Sequence, residues 1–417
     1  MEAGVRRIAI IGAGQAGLQL ALGLQGADYD VTLHAERTSQ EIRAGRVTST
    51  QLMFGPALAL ERAAGLNLWD ERAPVMRGLE MRHWDPAEDG RPTRFTASYD
   101  GEVRSVDQRL KLAAWLDLFE SRGGRVAYGS VEAGDAPAVV ACHDLTVVAA
   151  GRGALSSLFG RDAARSVYDR PQRTLAAFYA DGVTGRGDET DAYLRVSGAA
   201  AAGDAIALQA LTVHGPCEIL LVEAKFGGPY DCWADRPSPR EGLRRAVELL
   251  RQYAPWEYER FARAEPTDDG AALYGAITPT VRHGVVPLGD GQYVLGMADA
   301  VAVNDPLTGQ GANNAARAAA AYLDAILKRE EQPFDERWMR TVFDDYWEQA
   351  RHVHAFTDLM LRQPPAAHVV RILQAAHEHP EVAHRLANGY ADPVGYRDWL
   401  MEPERAEAYL ARFDGSR

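Results

Sequence analysis

Apolar residues near the start of the chain follow the pattern of a strand, a turn and a helix. Residues 5–11 form an apolar run, residues 12–17 contain three glycines, and residues 18–25 are apolar and compatible with a helix. A second strand pattern runs from Tyr29 to His34. This order predicts a β-α-β unit, in which a helix connects two parallel strands.

Helical and extended patterns continue beyond this unit. Residues 57–70 and 106–122 have the apolar spacing of helices, and the second of these helices should end at Arg122-Gly123-Gly124. Further strands are predicted at LTVVAAG, within residues 138–151, and at YVLG, within residues 292–296. An alanine-rich helix is predicted for residues 313–327.

The segment between these pieces has a different character. Residues 168–290 alternate loops with short apolar strands such as AIALQAL and CEILLVEA, which predicts an inserted sheet that forms the floor of a pocket. Residues 343–413 follow a helical pattern with breaks at Gln363-Pro364-Pro365 and at Asp392-Pro393.

Composition and charge narrow the class of protein. The chain has 417 residues, 47% hydrophobic and 25% charged, which is ordinary for a globular α/β protein. A formal net charge of −13 argues against nucleic acid or an anionic membrane as a partner. The three cysteines, Cys142, Cys217 and Cys232, have no CxxC or Cys/His spacing, so we expect neither a disulfide framework nor a metal site. No apolar run reaches eighteen residues and no signal peptide is recognisable, so we expect a cytoplasmic protein.

The glycines of the first turn carry the first chemical signal. Gly12, Gly14 and Gly17 form GxGxxG between a strand and a helix, where the backbone can approach a pyrophosphate at the helix N-terminus. A dinucleotide is therefore expected. Its ribose should meet an acid at the end of the second strand, and Glu36 is the candidate. His34 lies nearer the usual spacing, so the acid could instead be displaced or replaced in function.

A second motif occurs near residue 299, in YVLGMADAVAVNDPLTGQGANNAARAAAAYL. It resembles the motif of flavoprotein hydroxylases of the glutathione-reductase class, in which a Gly-Asp pair after a strand binds the ribityl chain. Here the pair is Ala298-Asp299. Backbone N–H groups near Gly311, Ala312 and Asn313 would stabilise negative charge on reduced flavin.

A third motif of single-component aromatic hydroxylases, an Asp-Gly pair associated with nicotinamide binding, is altered. The matching stretch is VVAAGRGALSSLF, with Arg152 in place of the acid and Gly153 after it. No second GxGxxG occurs. We therefore expect electrons to arrive as reduced flavin that is made elsewhere.

Together these motifs predict an α/β fold with a glutathione-reductase-type Rossmann FAD-binding domain, an inserted substrate domain with a mixed or antiparallel sheet, and a helical tail. The predicted boundaries are residues 1–75, 100–165 and 285–345 for the FAD-binding domain, 76–99 and 166–284 for the substrate domain, and 346–417 for the C-terminal helical region.

Five stretches then carry a specific resemblance. They are IAIIGAGQAGL, AGRVTST, SVDQRL, AAGRGAL and GMADAVAVNDPLTGQGAN. Along nearly its whole length the chain resembles the oxygenase (epoxidase) subunit of the two-component styrene and indole monooxygenases. The resemblance implies FAD as cofactor, O2 as co-substrate and a separate NADH:flavin reductase as partner. It also implies a flavin C4a-hydroperoxide that oxygenates a small hydrophobic aromatic substrate, and it leaves a homodimer open.

The resemblance also implies roles for individual residues. Arg46 and Arg109 would lie at the flavin, Asp299 on the ribityl chain, and Asp305-Pro306 with residues 309–313 against the isoalloxazine ring. The implied catalytic residues are Arg46, Ser49 and Pro306, and the implied cofactor contacts are Gly12, Gly14, Gly17, Glu36, Arg46, Arg109, Asp299, Pro306, Gly309, Gly311, Ala312 and Asn313. Ser49 stands where the styrene enzymes have Asn, so the substrate could differ. We also expect Ser49, Gln51 and Met53, at alternating positions, to face the substrate.

Three alternatives remain at this point. A flavin-dependent halogenase would need a Trp-x-Trp-x-Ile-Pro signature, and none of the eight tryptophans forms Trp-x-Trp. A single-component NAD(P)H-dependent hydroxylase is disfavoured by Arg152. A non-catalytic flavin-binding protein would bind FAD without forming product.

Overall fold

In the part of the chain that the structure describes, the strands form two sheets and one short pair. The computed structural model describes residues 5–84, 93–151, 153 and 155–413. Within these residues the strands are β1 (Arg7–Ile11), β2 (Asp30–Ala35), β3 (Leu52–Phe54), β4 (Met76–His83), β5 (Thr93–Ser105), β6 (Arg125–Tyr128), β7 (Leu145–Val148), β8 (Arg173–Asp181), β9 (Tyr193–Ala199), β10 (Gly203–Thr212), β11 (Gly215–Lys225), β12 (Glu265–Pro266), β13 (Ala272–Gly275), β14 (Thr280–Val281), β15 (Val285–Gly289), β16 (Gln292–Gly296) and β17 (Ala302–Val303).

Helices surround the sheets. In the same residues they are α1 (Gln15–Gln25), α2 (Ser39–Arg43), α3 (Gly55–Ala63), α4 (Gln108–Ser121), α5 (Ala136–Ala141), α6 (Pro239–Tyr253), α7 (Pro255–Phe261), α8 (Gly311–Arg329), α9 (Glu336–Leu361), α10 (Ala367–Glu378), α11 (Pro380–Gly389) and α12 (Pro403–Leu410). Short 3-10 helices occur at Leu155–Leu158, Glu189–Ala192, Ala298–Ala300, Pro306–Thr308 and Pro393–Asp398.

The first sheet has six strands in the order β15-β16-β7-β1-β2-β6. All neighbours are parallel except the edge strand β15, which is antiparallel to β16. Helices α1, α4 and α8 bury apolar residues such as Leu20, Trp115 and Tyr322 in the same core as this sheet. Because the carboxyl ends of parallel strands share one edge, the loops after β1, β2, β7 and β16 meet there. These are the loops that contain the sequence motifs.

The second sheet has nine strands in the order β12-β8-β11-β10-β9-β4-β5-β3, and β13 also pairs with β8. Its pairs are antiparallel except β4 and β9. One face packs against the C-terminal helices through residues such as Phe356 and Ile372, and the opposite face packs against α6. The predicted inserted sheet is thus confirmed, as is the helical tail with its two breaks.

Two predictions need correction. The helix expected over residues 57–70 ends at Ala63, because Gly65 follows with a φ of +68°, a left-handed conformation that terminates helices. Strand β3, assigned from sequence to the FAD-binding domain, pairs with β5 in the nine-stranded sheet. The other domain boundaries stay predictions.

Candidate active site

The glycine loop after β1 makes backbone contacts that leave no room for a side chain at Gly12 or Gly17. Gly12 has a φ of +118°, and a Cβ atom there would lie 2.8 Å from Ala150 N. A Cβ on Gly17 would lie 1.9 Å from Gly12 O. Gly14, the N-cap of α1, has no atom within 4 Å of a built Cβ and no side-chain cap. The N-terminus of α1 is therefore uncapped by a side chain and has open space beside Gly14, and this cradle fits a pyrophosphate.

Both candidates for ribose binding, His34 and Glu36, lie at the end of β2. β2 ends at Ala35, and Glu36 follows it as an exposed residue. His34 is half-buried, and its backbone carbonyl accepts a hydrogen bond of 3.0 Å from Gly12 N. Burial, with a smaller effect of His143, lowers the pKa of His34. Glu36 is the accessible acceptor, and its contact with a ribose stays a prediction.

Two motifs that are far apart in sequence meet at Asp299. A Cβ on Gly151 would lie 2.5 Å from the Cβ of Asp299, so the end of the AAG stretch needs glycine to let Asp299 pass. Ala298 has a φ of +50°, a conformation that suits the glycine found in related motifs. Asp299 is exposed at this edge of the sheet. Arg152 lies outside the described residues.

The segment before α8 forms the other side of the site. Asp305 accepts a hydrogen bond of 3.0 Å from Leu307 N, and Gly309 has a φ of +66°. The N-cap of α8, Gln310, makes no side-chain cap, and a Cβ on Gly311 would meet no atom within 4 Å. The N-terminus of α8 is therefore open, like that of α1.

Asn313 and Ala312 are held by the neighbouring chain. The Asn313 side chain donates to Leu52 O at 3.0 Å and accepts from Phe54 N at 2.9 Å, which fixes β3 against α8. Ala312 O accepts a hydrogen bond of 3.1 Å from Gln15 Nε2. The Asn313 amide group is thus used within the protein, and the expected contact with flavin would involve its backbone N–H.

Residues 46–53 connect the two sheets. Arg46 is exposed, and Val47 N donates to Gly270 O at 3.0 Å. Ser49 O accepts from the Tyr179 hydroxyl at 2.7 Å, and Ser49 Oγ accepts from Gln51 N at 3.1 Å.

The prediction that alternate residues from Ser49 face the substrate is wrong for Gln51 and Met53. Gln51 and Met53 are 1% exposed, and the Gln51 side chain hydrogen-bonds to Gln15 and Gln108. Thr50 and Leu52 line the cavity instead. Gln51 has a φ of +51°, so the chain turns here and does not follow the period of a strand. The catalytic role of Ser49 stays a prediction.

Arg109 is buried with two carboxylates. Its Nε donates to Asp107 at 2.9 Å, while Nη1 and Nη2 donate to the two oxygens of Asp268 at 2.9 and 3.0 Å. Burial alone would lower its pKa, but the two carboxylates raise it above the usual value. Arg109 therefore holds the 267–270 turn beside Arg46, and a direct contact with flavin stays a prediction.

A cavity of about 360 Å³ lies between the nine-stranded sheet and the C-terminal helices. Pro306, Leu307, Thr308 and Gly309 form one wall, together with Thr50 and Leu52. The remaining lining is mostly apolar and includes Leu79, Met81, Phe95, Leu194, Val196, Ile206, Leu208, Leu221, Leu359, Val369 and Leu373. The expected pocket floor, the inserted sheet, is confirmed.

Two buried acidic residues, Glu223 and Asp305, lie near each other beside this cavity. The sequence did not identify Glu223. Glu223 is fully buried, and its carboxylate oxygens find no hydrogen-bond partner in the described part of the chain. Burial, and then Asp305, raise the pKa of Glu223 well above its usual value, and burial raises the pKa of Asp305 to about 6. Period-two alternation in AIALQAL could have shown that Ile206 and Leu208 share a face with the preceding Asp204.

Two negative findings apply to the described residues. They contain no group of three or more His, Cys, Asp or Glu side chains that could bind a metal ion. None of the helices formed by these residues is both long enough and apolar enough to span a membrane.

Solved structures with low sequence identity share the fold. A flavin-dependent brominase, Bmp2, aligns with a TM-score of 0.67 and 13% identity over 99% of this chain and 100% of the other. The Pseudomonas aeruginosa protein pqsL, a probable FAD-dependent monooxygenase, aligns with a TM-score of 0.59 and 16% identity over 86% of this chain and 96% of the other. The predicted fold, a Rossmann-type domain of the FAD-binding kind with a second, substrate domain, is confirmed.

Relatives with higher sequence identity match nearly the whole chain. The chain is 28% identical to styrene monooxygenase StyA of Pseudomonas fluorescens over 96% of both chains. It is 27% identical to styrene monooxygenase StyA of a Pseudomonas species over 98% of both chains. Residues 151–260 match the model of a proposed substrate-binding domain of styrene monooxygenase A. The resemblance predicted from the five stretches is confirmed: along nearly its whole length the chain is similar to styrene monooxygenases.

Proposed function

We propose that this chain is the oxygenase component of a two-component system. It takes reduced FAD from a separate NADH:flavin reductase and epoxidises, or otherwise oxygenates, an aromatic alkene or an indole-type substrate. The observation that carries the proposal is the mostly apolar cavity of about 360 Å³ whose wall is Pro306–Thr308 and Gly309, beside the open N-terminus of α8. Full-length similarity to two styrene monooxygenases supports it.

The residues present fit FAD. The open first turn of α1 at Gly14 would hold the pyrophosphate, Glu36 a ribose, and Asp299 the ribityl chain. The open N-terminus of α8 would stabilise negative charge on the reduced ring. Bound reduced FAD would supply the electrons for the reaction with O2, in which one oxygen atom goes to the substrate, the other leaves as water and the flavin is oxidised.

The protein's own contribution is positioning and exclusion of water. Apolar side chains from the nine-stranded sheet and from α9 and α10 enclose the cavity, so a bound aromatic ring would displace water from it. Pro306 contributes to the wall next to Asp305, where it would orient the substrate. Arg46 and Ser49 lie on the segment that precedes Thr50 and Leu52 of this wall, and they would act from its edge.

The need for a separate reductase is tested with NADH. Under anaerobic conditions, the purified protein with FAD and NADH should show no appreciable flavin bleaching, whereas an added flavin reductase from an unrelated source should bleach the flavin and, once oxygen is admitted, restore turnover. With oxygen, styrene should give styrene oxide and indole should give indigo, in the presence of catalase and with reductase alone as the blank. This expectation rests on Arg152 in the sequence.

The same experiment separates the alternatives. Rapid reduction of the flavin by NADH alone would identify a single-component hydroxylase. In a parallel assay without catalase, hydrogen peroxide with no oxygenated product from styrenes, indoles and aryl sulfides would indicate a non-catalytic flavin-binding protein.

Flavin binding is tested at Asp299. We expect Asp299→Ala to weaken FAD binding by about 1–3 kcal/mol, the range for a lost hydrogen bond to a charged group. Asp324→Ala, an exposed change on α8, is the control. Equal FAD affinity in the two folded variants would mean that Asp299 does not contribute to FAD binding.

A further inference from the structure

Helices α1 and α8 lie side by side with their N-termini together. The side chain of Gln15, the first residue of α1, donates a hydrogen bond of 3.1 Å to the backbone carbonyl of Ala312 in the first turn of α8. About two turns further along α1, a Cβ on Gly23 would lie 2.6 Å from Leu323 Cδ2. Because these contacts occur in the same order along both helices, the helices are parallel, and the two N-termini that would bind FAD are adjacent.

A buried ion pair lies next to this contact. The Nζ atom of Lys111 on α4 is 2.6 Å from Glu61 Oε1 on α3, and both side chains are almost fully buried. Gln15 Nε2 is 3.4 Å from the same Glu61 oxygen and 3.6 Å from Met53 Sδ. The Gln15 amide therefore contacts both the ion pair and the first turn of α8.

The charge of Glu61 fixes the direction of a chain of hydrogen bonds. An ionised carboxylate can only accept, so the Gln15 amide directs its NH2 group to Glu61 and its Oε1 atom to the side chain of Gln51, which donates to it. Gln51 Oε1 in turn accepts from Gln108 Nε2 at 2.7 Å. Gln108 Oε1 accepts from Thr48 Oγ1 at 2.5 Å. The chain thus ends on the segment that connects the two sheets.

We propose that Gln15 is a positioning residue that holds the N-terminus of α8 where it stabilises reduced FAD, and that the Glu61–Lys111 pair keeps the Gln15 amide in the required orientation. The proposal rests on the proposed function, since it takes FAD as the ligand of both helix N-termini. The N–H groups of α1 would meet the pyrophosphate, whose charge is the same in oxidised and reduced FAD. Those of α8 would meet the ring, where negative charge develops on reduction. Displacement of α8 should therefore weaken the binding of reduced FAD more than that of oxidised FAD.

Titration with both redox states of FAD under anaerobic conditions tests this role. Gln15→Met keeps the length of the side chain and removes its amide, so the carbonyl of Ala312 and the carboxylate of Glu61 lose a donor. The affinity for reduced FAD should fall about fivefold relative to the affinity for oxidised FAD, the size of an interaction at a helix terminus. The midpoint potential of the bound flavin should fall by about 20 mV, because a tenfold change in this ratio corresponds to about 30 mV for two electrons.

Gln19→Met is the matched control. Gln19 lies on the same helix and is 4% exposed, as Gln15 is, and its Oε1 atom has no hydrogen-bond partner among the described residues. Its replacement should change neither the affinity ratio nor the potential. An unchanged ratio in folded Gln15→Met, or an equal change in Gln19→Met, would overturn the proposal.

A second variant tests the ion pair, and it carries the test alone if Gln15→Met does not fold. Glu61→Gln combined with Lys111→Met removes both charges together, which avoids an unpaired buried charge. A neutral amide at residue 61 can donate as well as accept, so the orientation of Gln15 is no longer fixed. The affinity ratio should shift in the same direction as in Gln15→Met, by about twofold. An unchanged ratio would refute the role of the pair.

Turnover of styrene and indole separates this proposal from the proposed function. Oxygenated product together with an unchanged affinity ratio in Gln15→Met would refute the role of Gln15 and leave the proposed function intact. A shifted ratio without oxygenated product from the original protein would support the role of Gln15 and refute the oxygenase assignment. If the original protein bound neither redox state of FAD, both proposals would be refuted.

Discussion

The hydroxyl of Tyr179 donates a 2.7 Å hydrogen bond to the backbone carbonyl of Ser49. Tyr179 lies on β8 of the nine-stranded sheet, and Ser49 belongs to the segment that leads from the Rossmann-type sheet to the cavity wall. Tyr179 is fully buried, and burial raises the pKa of its hydroxyl well above the usual value. It therefore acts as a neutral donor at all ordinary pH values.

We expect Tyr179→Phe to destabilise the protein by about 1 kcal/mol, because the bond is lost and a carbonyl is left without its donor. Tyr230→Phe is a matched control, since this buried hydroxyl has no hydrogen-bond partner among the residues described. Urea unfolding of both variants checks the difference. Equal stabilities would mean that the Tyr179 bond contributes nothing.

Arg109 gives a second prediction. Arg109→Ala should cost about 3–5 kcal/mol of stability, because the buried carboxylate of Asp107 and the carboxylate of Asp268 lose their cation. Arg43→Ala removes an exposed pair with Asp117 and should cost about 0–1 kcal/mol. Chemical denaturation measures both, and a cost for Arg109→Ala as small as the control would contradict the structural role given to it.

Two substitutions in the glycine loop should have different effects on FAD binding and on folding. A Cβ on Gly14 meets open space, so Gly14→Ala should leave the melting temperature of the FAD-free protein unchanged while weakening FAD binding. Gly17→Ala should lower that melting temperature, because its Cβ would lie 1.9 Å from Gly12 O. FAD titration and thermal unfolding of both variants distinguish the two effects. Normal FAD affinity in Gly14→Ala would argue against a pyrophosphate at this turn.

The buried carboxyl of Asp358 on α9 should make the stability of the protein depend on pH. Burial raises its pKa to about 7, Arg362 opposes the rise, and Asp305 adds to it. The folded state therefore holds a proton that the unfolded state loses near its ordinary value of 3.8, so stability should fall as the pH rises from about 4 to about 7. Asp358→Asn removes this dependence and should exceed the original protein in stability by up to about 4 kcal/mol at pH 8.

The control for this change is Asp345→Asn, an exposed residue on the same helix. Urea unfolding at pH 5 and at pH 8 should show a pH-dependent gain for Asp358→Asn alone. A gain of the same size at both pH values would mean that Asp358 does not titrate in this range.

The sequence determined the elements whose chemistry is local. Gly12, Gly14 and Gly17 predict the turn after β1 because a positive φ and close backbone contacts require glycine. The strand, turn and helix around Asp299 and Gly311 are likewise recognisable because the open first turn of a helix is a property of a continuous segment. The motifs of one parallel sheet also had to meet at one edge, which follows from strand direction alone.

Tertiary structure decided what depends on partners distant in sequence. The sequence predicts Arg109 at the flavin, and only the folded chain shows that Asp268, from a turn far along the chain, binds its guanidinium. Gln51 has a positive φ, and its side chain hydrogen-bonds to Gln15 and Gln108 from other parts of the chain, so it does not face the cavity as expected. Strand register aligns apolar residues from five strands in one row that lines the cavity, namely Phe95, Met81, Val196, Ile206 and Leu221. Register is set by how five strands align in space, and no single stretch of sequence contains it.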